Sequence, residues 1–166
     1  MGRKSDLNYT LHALEVNISR VLGLDVGDAR IGLALSDPLG IIASPLTIIS
    51  RQNIEADIQA IIDVITKNNI GRIIVGLPFS MDGTLGVQAE KVRGFADELS
   101  RRTDIPLEYR DERLSTVVAK RIVQQIRKTS RGTRYDAAAA ALILQSYLDD
   151  SLPPKEYHED DVAEID

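Results

Sequence analysis

The apolar residues of this chain change period once, near residue 50, and that change restricts the fold more than any other feature. Before it, three apolar runs, Val21 to Val26, Ile31 to Leu35 and Ile41 to Ile49, are separated by the turns Gly27-Asp28-Ala29-Arg30 and Asp37-Pro38-Leu39-Gly40, the layout of an antiparallel meander. Ser44-Pro45 marks an irregular or edge position in the third run. After it, Ile54, Ile58, Ile61, Ile62 and Ile65 recur at three- and four-residue spacing, which predicts a helix ending near Asn68-Asn69 and Gly71. Arg72 to Leu77, a β-branched run stopped by Pro78, predicts a strand buried on both faces. A loop from Pro78 to Gly86 leads to a second helical pattern in which Val87, Val92, Phe95, Ala96 and Leu99 share one side. Pro106 to Glu112 predicts a fifth strand, Thr116 to Ile126 a third helix and Ala137 to Leu148 a fourth. The order β-β-β-α-β-α-β-α-α belongs to the α/β class: a mixed five-stranded sheet, antiparallel in its first half and parallel in its second, with helices on its faces.

With 166 residues and 43% hydrophobic content the chain fills one core. We expect one domain over residues 21–150, preceded by an N-terminal extension (1–20) and followed by an acidic tail (151–166) that is introduced by Pro153-Pro154 and expected to be disordered. The absence of cysteine excludes disulfides, thiolate zinc sites and cysteine nucleophiles, and suits a reducing cytoplasm. Ser44, Pro45 and Thr47 interrupt the apolar run near Ile41 to Ile49, and no run approaches the roughly 20 residues that span a bilayer. No apolar signal core follows Arg3 and Lys4, so a soluble protein without a membrane partner is expected.

Net charge is −5, but residues 151–166 set Lys155 against six acids, leaving the body of the chain neutral. In that body Arg127, Lys128, Arg131 and Arg134 occur without an acid among them, a local basic patch for which a solvated loop is the plain alternative.

Three acidic positions stand out. In the first strand Gly23, Asp25 and Gly27 share a face, so Asp25 stands between two residues without side chains, where a large group can approach it. A carboxylate on an apolar strand needs a compensating partner, which can be a metal, a base, or the amides of the following turn. Asp136, Ala140, Ile143 and Tyr147 follow helical spacing, and Asp136 read alone is explained as an N-cap. Asp111 and Glu112 end the fifth strand. Alternation puts Asp111 with Leu107 and Tyr109, and Glu112 with Glu108 and Arg110, but strand-end bulges leave the choice between them open. Acids from two strand ends and a helix start that converge on one edge need cations, and hard oxygen ligands select Mg²⁺ or Mn²⁺. Two such ions can activate water and stabilise both oxygens of an in-line phosphoryl displacement.

The runs LDVGDARIGLALSD (24–37), IIVGLPFSMDGT (73–84), DERLST (111–116) and DAAAAALILQSYL (136–148) together resemble the motif blocks of the YqgF/RuvX family, in order and with similar spacing. The resemblance implies an RNase H-like fold related to the Holliday junction resolvase RuvC, and a nuclease that matures the 5′ end of 16S rRNA within a ribosomal precursor particle. By position it implies catalytic roles for Asp25, Glu112, Asp136 and Asp111, with Asp25, Glu112 and Asp136 holding the metal. It also implies nucleic-acid contacts by Arg30, Met81, Asp82, Gly83, Arg113, Arg127, Lys128, Arg131 and Arg134. The N-terminal extension and acidic tail have no counterpart in shorter relatives. The tail is a candidate weak autoinhibitor that competes with nucleic acid for the basic patch.

Two other classes are possible for such a sheet. A sugar-kinase or actin-like protein normally duplicates the fold, and here there is neither the length nor a second Asp-x-Gly strand. A non-catalytic nucleic-acid-binding protein is disfavoured because all the expected acids are present, and aromatics at 4% are too sparse for base stacking. Among nucleases, structured RNA and branched DNA both remain open as substrates. A resolvase would act as a symmetric homodimer, whereas an RNA-processing enzyme can be a monomer.

Overall fold

The computed structural model describes residues 19–79, 82–111 and 133–151, with side chains in the last stretch from Ala137 onward. Its elements are β1 (Arg20–Val26), β2 (Arg30–Ser36), β3 (Ala43–Ser50), α1 (Ile54–Asn68), β4 (Ile70–Leu77), α2 (Val87–Ser100), β5 (Leu107–Asp111) and α3 (Thr133–Ser151). The strands form one sheet in the order β3-β2-β1-β4-β5. The meander β1-β2-β3 is antiparallel, whereas β1, β4 and β5 run parallel. This is the mixed five-stranded sheet expected from the change of period.

Turn chemistry sets the meander. The Gly27 amide donates to the Arg30 carbonyl at 2.9 Å, and a Cβ on Gly27 would lie 2.8 Å from that oxygen, so the tight return needs glycine. At the next turn the Asp37 carboxylate accepts from the Ile41 and Ile42 amides at 2.7 and 2.9 Å, while Gly40 takes a φ of 69°. The β2–β3 register steps from Leu33↔Thr47 to Ala34↔Pro45 and leaves Leu46 unmatched, a bulge in the outer strand where the sequence placed an irregularity.

Each helix is cut to length by its ends. Asn53 caps α1 by accepting from the Ala56 amide at 2.9 Å, and Asn69 ends it in the left-handed conformation (φ 51°). One face of the sheet is covered by α1 and α2: Ile58, Ile61, Val92, Phe95 and Leu99 pack on Leu22, Leu24, Ile31, Leu33, Ile73 and Val75. Burying each large aliphatic there contributes about 1.5–3 kcal/mol. On the other face α3 packs mainly on β1, β2 and β3, where Ala140, Ile143, Leu144 and Leu148 cluster with Ala34 and Ile74.

Two expectations change. Val87 is 77% exposed rather than part of the buried side of its helix, because it is the first residue of α2 and Ala89 takes the inward position instead. The last helix begins by Thr133, so Asp136 lies within its first turn and is not an N-cap. The expected Thr116 to Ile126 helix, most of the N-terminal extension and nearly all of the acidic tail lie outside the described residues. No described helix is long and apolar enough to cross a membrane.

Candidate active site

Because β1, β4 and β5 are parallel, their carboxyl ends gather at one end of the sheet, together with the start of β2. Asp25 is the penultimate residue of β1 and is half-buried. It alternates with Gly23, which lies under α3: a Cβ on Gly23 would sit 2.8 Å from Leu144 Cβ and 3.0 Å from the Ala140 carbonyl oxygen. Asp25 therefore stands on the α3 face. Its partner across the β1–β2 ladder is Gly32. On the other flank Leu24 pairs with Val75, and the next residue, Gly76, shares the α3 face with Ile74. The carboxylate is thus bordered in the sheet by Gly23, Gly32 and Gly76, none of which offers a side chain. The volume that Gly23 spares is taken up by α3, so the cradle beside Asp25 is the one left by Gly32 and Gly76.

Helix α3 leads toward the same place. From Ala140 beside Gly23, the helix advances to Gln145, whose amide bonds the Ala43 N–H (2.9 Å) and the Ile41 carbonyl (2.9 Å) at the start of β3, the end of the sheet away from Asp25. Followed in the opposite direction, the backbone reaches Asp136 one turn before Ala140, a rise of about 6 Å toward the carboxyl end of β1.

Asp111 is differently placed. It pairs in register with Leu77, which is buried in the α1/α2 core, so alternation sets Asp111 on the face opposite to Asp25. Tyr109, on that same side, has its hydroxyl pKa raised, first by burial and then by the Asp97 carboxylate. Arg110 points the other way: Nε and Nη2 donate to Ser146 Oγ at 3.1 and 2.9 Å, and Nη2 also pairs with Asp150. The register therefore sets Asp25 and Asp111 on opposite faces of the sheet, and Glu112 lies outside the described residues. Among the described residues no three acidic, histidine or cysteine side chains converge to hold a metal. The donors available for one are carboxylate oxygens, which fit a hard divalent cation and no soft one.

Of the residues expected to meet nucleic acid, Arg30, Asp82 and Gly83 sit at the Asp25 end. Arg30 opens β2 opposite Ser50. The loop after β4 is closed by a Phe79–Leu85 bridge and turned at Gly83 (φ 82°). Within it the Asp82 carboxylate accepts from Thr84 Oγ1 (2.7 Å) and the Thr84 amide (3.0 Å), bonds that lower its pKa in that order. Met81, Arg113, Arg127, Lys128 and Arg131 lie outside the described residues, and Arg134 is described only as backbone in the first turn of α3. Gly32 and Gly76 were not singled out in the sequence, since only strand register reveals them as neighbours of Asp25.

A family model described as RuvX, Holliday junction resolvase, matches residues 19–150. A protein from Desulforamulus reducens named "Putative pre-16S rRNA nuclease" is 47% identical over 133 residues, covering 78% of this chain and 96% of that protein. A protein of the same name from Gloeobacter violaceus is 46% identical over 134 residues, covering 81% and 86%. Among solved structures, Thermus thermophilus RuvC in complex with a Holliday junction substrate superimposes with a TM-score of 0.54 at 14% identity, over 80% of this chain and 95% of that one. The yeast mitochondrial Holliday junction resolvase gives 0.52 at 13% identity, over 89% and 85%. At such identities the likeness is one of fold.

Proposed function

The chain belongs to the RuvX family, and from that premise we propose that it is a metal-dependent nuclease that hydrolyses phosphodiesters in the precursor of 16S rRNA, at its 5′ end and within a ribosomal precursor particle in the cytoplasm. The observation that carries the reading is Asp25, a carboxylate whose neighbours in the sheet are glycines, at the end where the parallel strands finish. Asp25, Glu112 and Asp136 form the metal-holding set. Asp111 shares its face with Leu77, away from Asp25, so of the adjacent acids we assign the metal to Glu112. Asp111 remains beside it as an auxiliary acid.

When bound, Mg²⁺ or Mn²⁺ ions supply Lewis-acid activation of water and charge stabilisation at the attacking and leaving oxygens. The chain does the rest. Gly32 and Gly76 leave room for the scissile phosphate beside Asp25. Arg30 and the turn at Asp82-Gly83, with Met81 beside it, line the approach, and Arg113, Arg127, Lys128, Arg131 and Arg134 attract the flanking phosphates. A second reading, resolution of branched DNA by a homodimer, is favoured by the description of the family and by the resolvase folds it resembles.

The test is a cleavage panel of structured RNA, single-stranded RNA and four-way DNA junctions with Mn²⁺, run beside Asp25→Asn. Loss of one metal-holding carboxylate removes several kcal/mol of transition-state stabilisation, so kcat on structured RNA falls by about a hundredfold or more while RNA binding persists. EDTA abolishes cleavage. Wild-type turnover by Asp25→Asn removes Asp25 from the chemistry, and preference for the junction selects the second reading.

A further inference from the structure

We infer that Arg51, in the linker between β3 and α1, is a positioning residue for the nuclease reaction: it fixes the strand end that carries Asp25 from the opposite face of the sheet. The inference rests on the catalytic reading of Asp25 given above.

Four contacts converge on Arg51. Its backbone N–H donates to the Ala29 carbonyl at 2.9 Å. Nη1 donates to the Gly27 carbonyl at 3.0 Å, and Nε donates to Asp57 Oδ2 at 3.1 Å. The guanidinium carbon lies 5.1 Å from the centroid of the Phe95 ring, a cation–π distance. Gly27 and Ala29 belong to the turn that follows β1, and Gly27 is two residues beyond Asp25. The other two partners belong to the rigid part of the fold: Asp57 is 2% exposed on α1, and Phe95 is buried on α2. Asp57 is itself fixed, because Oδ1 accepts from the Gln52 amide at 3.0 Å.

The geometry uses the planar fork of arginine. One edge engages a buried carboxylate, a second nitrogen reaches a turn carbonyl and the face rests on an aromatic ring, so the turn is referenced to α1 and α2 at once. A lysine ammonium retains charge beside Asp57 but is a point donor and cannot bridge Asp57 and Gly27 in this way. The turn that Arg51 holds starts directly after β1, so its carbonyls set how the strand end carrying Asp25 continues; a looser, exposed pair, Lys91 Nζ with Asp28 at 3.5 Å, ties the same turn to α2. Misplacement of a reacting group by about 1 Å costs roughly a hundredfold in rate, so a partial loosening of this turn is expected to cost about tenfold.

The experiment compares Arg51→Lys and Arg51→Met with the wild type and Asp25→Asn in the full chain. It measures thermal unfolding, Mn²⁺ affinity by calorimetry, and kcat and KM on the best RNA or DNA substrate. In Arg51→Lys we expect near wild-type unfolding, with Mn²⁺ affinity and kcat each lowered about tenfold and KM unchanged within about twofold. Arg51→Met shows the same losses and lower stability; if it does not fold, Arg51→Lys alone decides. A folded Arg51→Lys with Mn²⁺ affinity and kcat within twofold of the wild type, beside an inactive Asp25→Asn, overturns the role of Arg51 and leaves that of Asp25 intact. Wild-type Mn²⁺ binding and turnover by Asp25→Asn overturns the catalytic reading and this assignment with it.

Discussion

Asp37 earns its place at the β2–β3 turn through charge. Its carboxylate accepts from the Ile42 and Ile41 amides, and these bonds, led by that from Ile42, hold its pKa below the ordinary value of 3.8. A depressed carboxyl pKa means that the ionised form is favoured by folding. Its contribution is therefore complete above the unfolded value and is lost as pH falls through the lower, folded one. We expect the Ile41 and Ile42 amides to keep their hydrogen-exchange protection through pH 4 and to lose it only on further acidification. A side-chain carboxyl titration by NMR that gives Asp37 a midpoint above 3.8 would refute this. Asp82 follows the same logic through Thr84.

At the scale of elements, the contact that decides the site is the seating of α3 on β1. A methyl group on Gly23 would meet Leu144 Cβ at 2.8 Å and the Ala140 carbonyl at 3.0 Å, and neither is the free end of a flexible chain. Gly23→Ala should therefore lift the helix and cost about 1–3 kcal/mol of unfolding free energy by denaturant titration. Leu144→Ala keeps the Cβ and the Ala140 obstacle is backbone, so adding it relieves neither contact and the pair should cost about the sum of the single changes. Full rescue of Gly23→Ala by Leu144→Ala would mean that the helix does not sit as described.

The elements themselves were legible in the sequence. The apolar runs between turns located each described strand to within a few residues, and the Asn residues at 53 and 69 bracket α1. What was not legible depends on register and on which face a distant helix covers. The parity of Asp111 and Glu112 was plain, but its meaning required knowing that α3 covers the Gly23 side. The cradle around Asp25 needs Gly32 and Gly76, which lie on two other strands. The Arg51 fork joins four segments and leaves no periodic signal.

For the whole molecule, charge is divided along the chain: a body with no net charge and a terminal stretch that carries the full −5. An acidic segment tethered to a phosphate-binding protein competes for the same cations as the substrate. Truncation after Asp150 should tighten RNA binding by roughly threefold or more at low salt, with the gain shrinking as ionic strength rises. Filter binding across a salt series checks this, and identical affinities with and without the tail would discard it.

The bulge in β3 bears on how this molecule meets its own copies. A sheet border normally offers a row of unused amide donors on which another chain can template itself. Here the proline at 45 has no N–H to give and the adjacent Leu46 breaks the spacing of the ladder. That strand is thereby a poor template for lateral growth, and copies of this protein are not led to join their sheets along it.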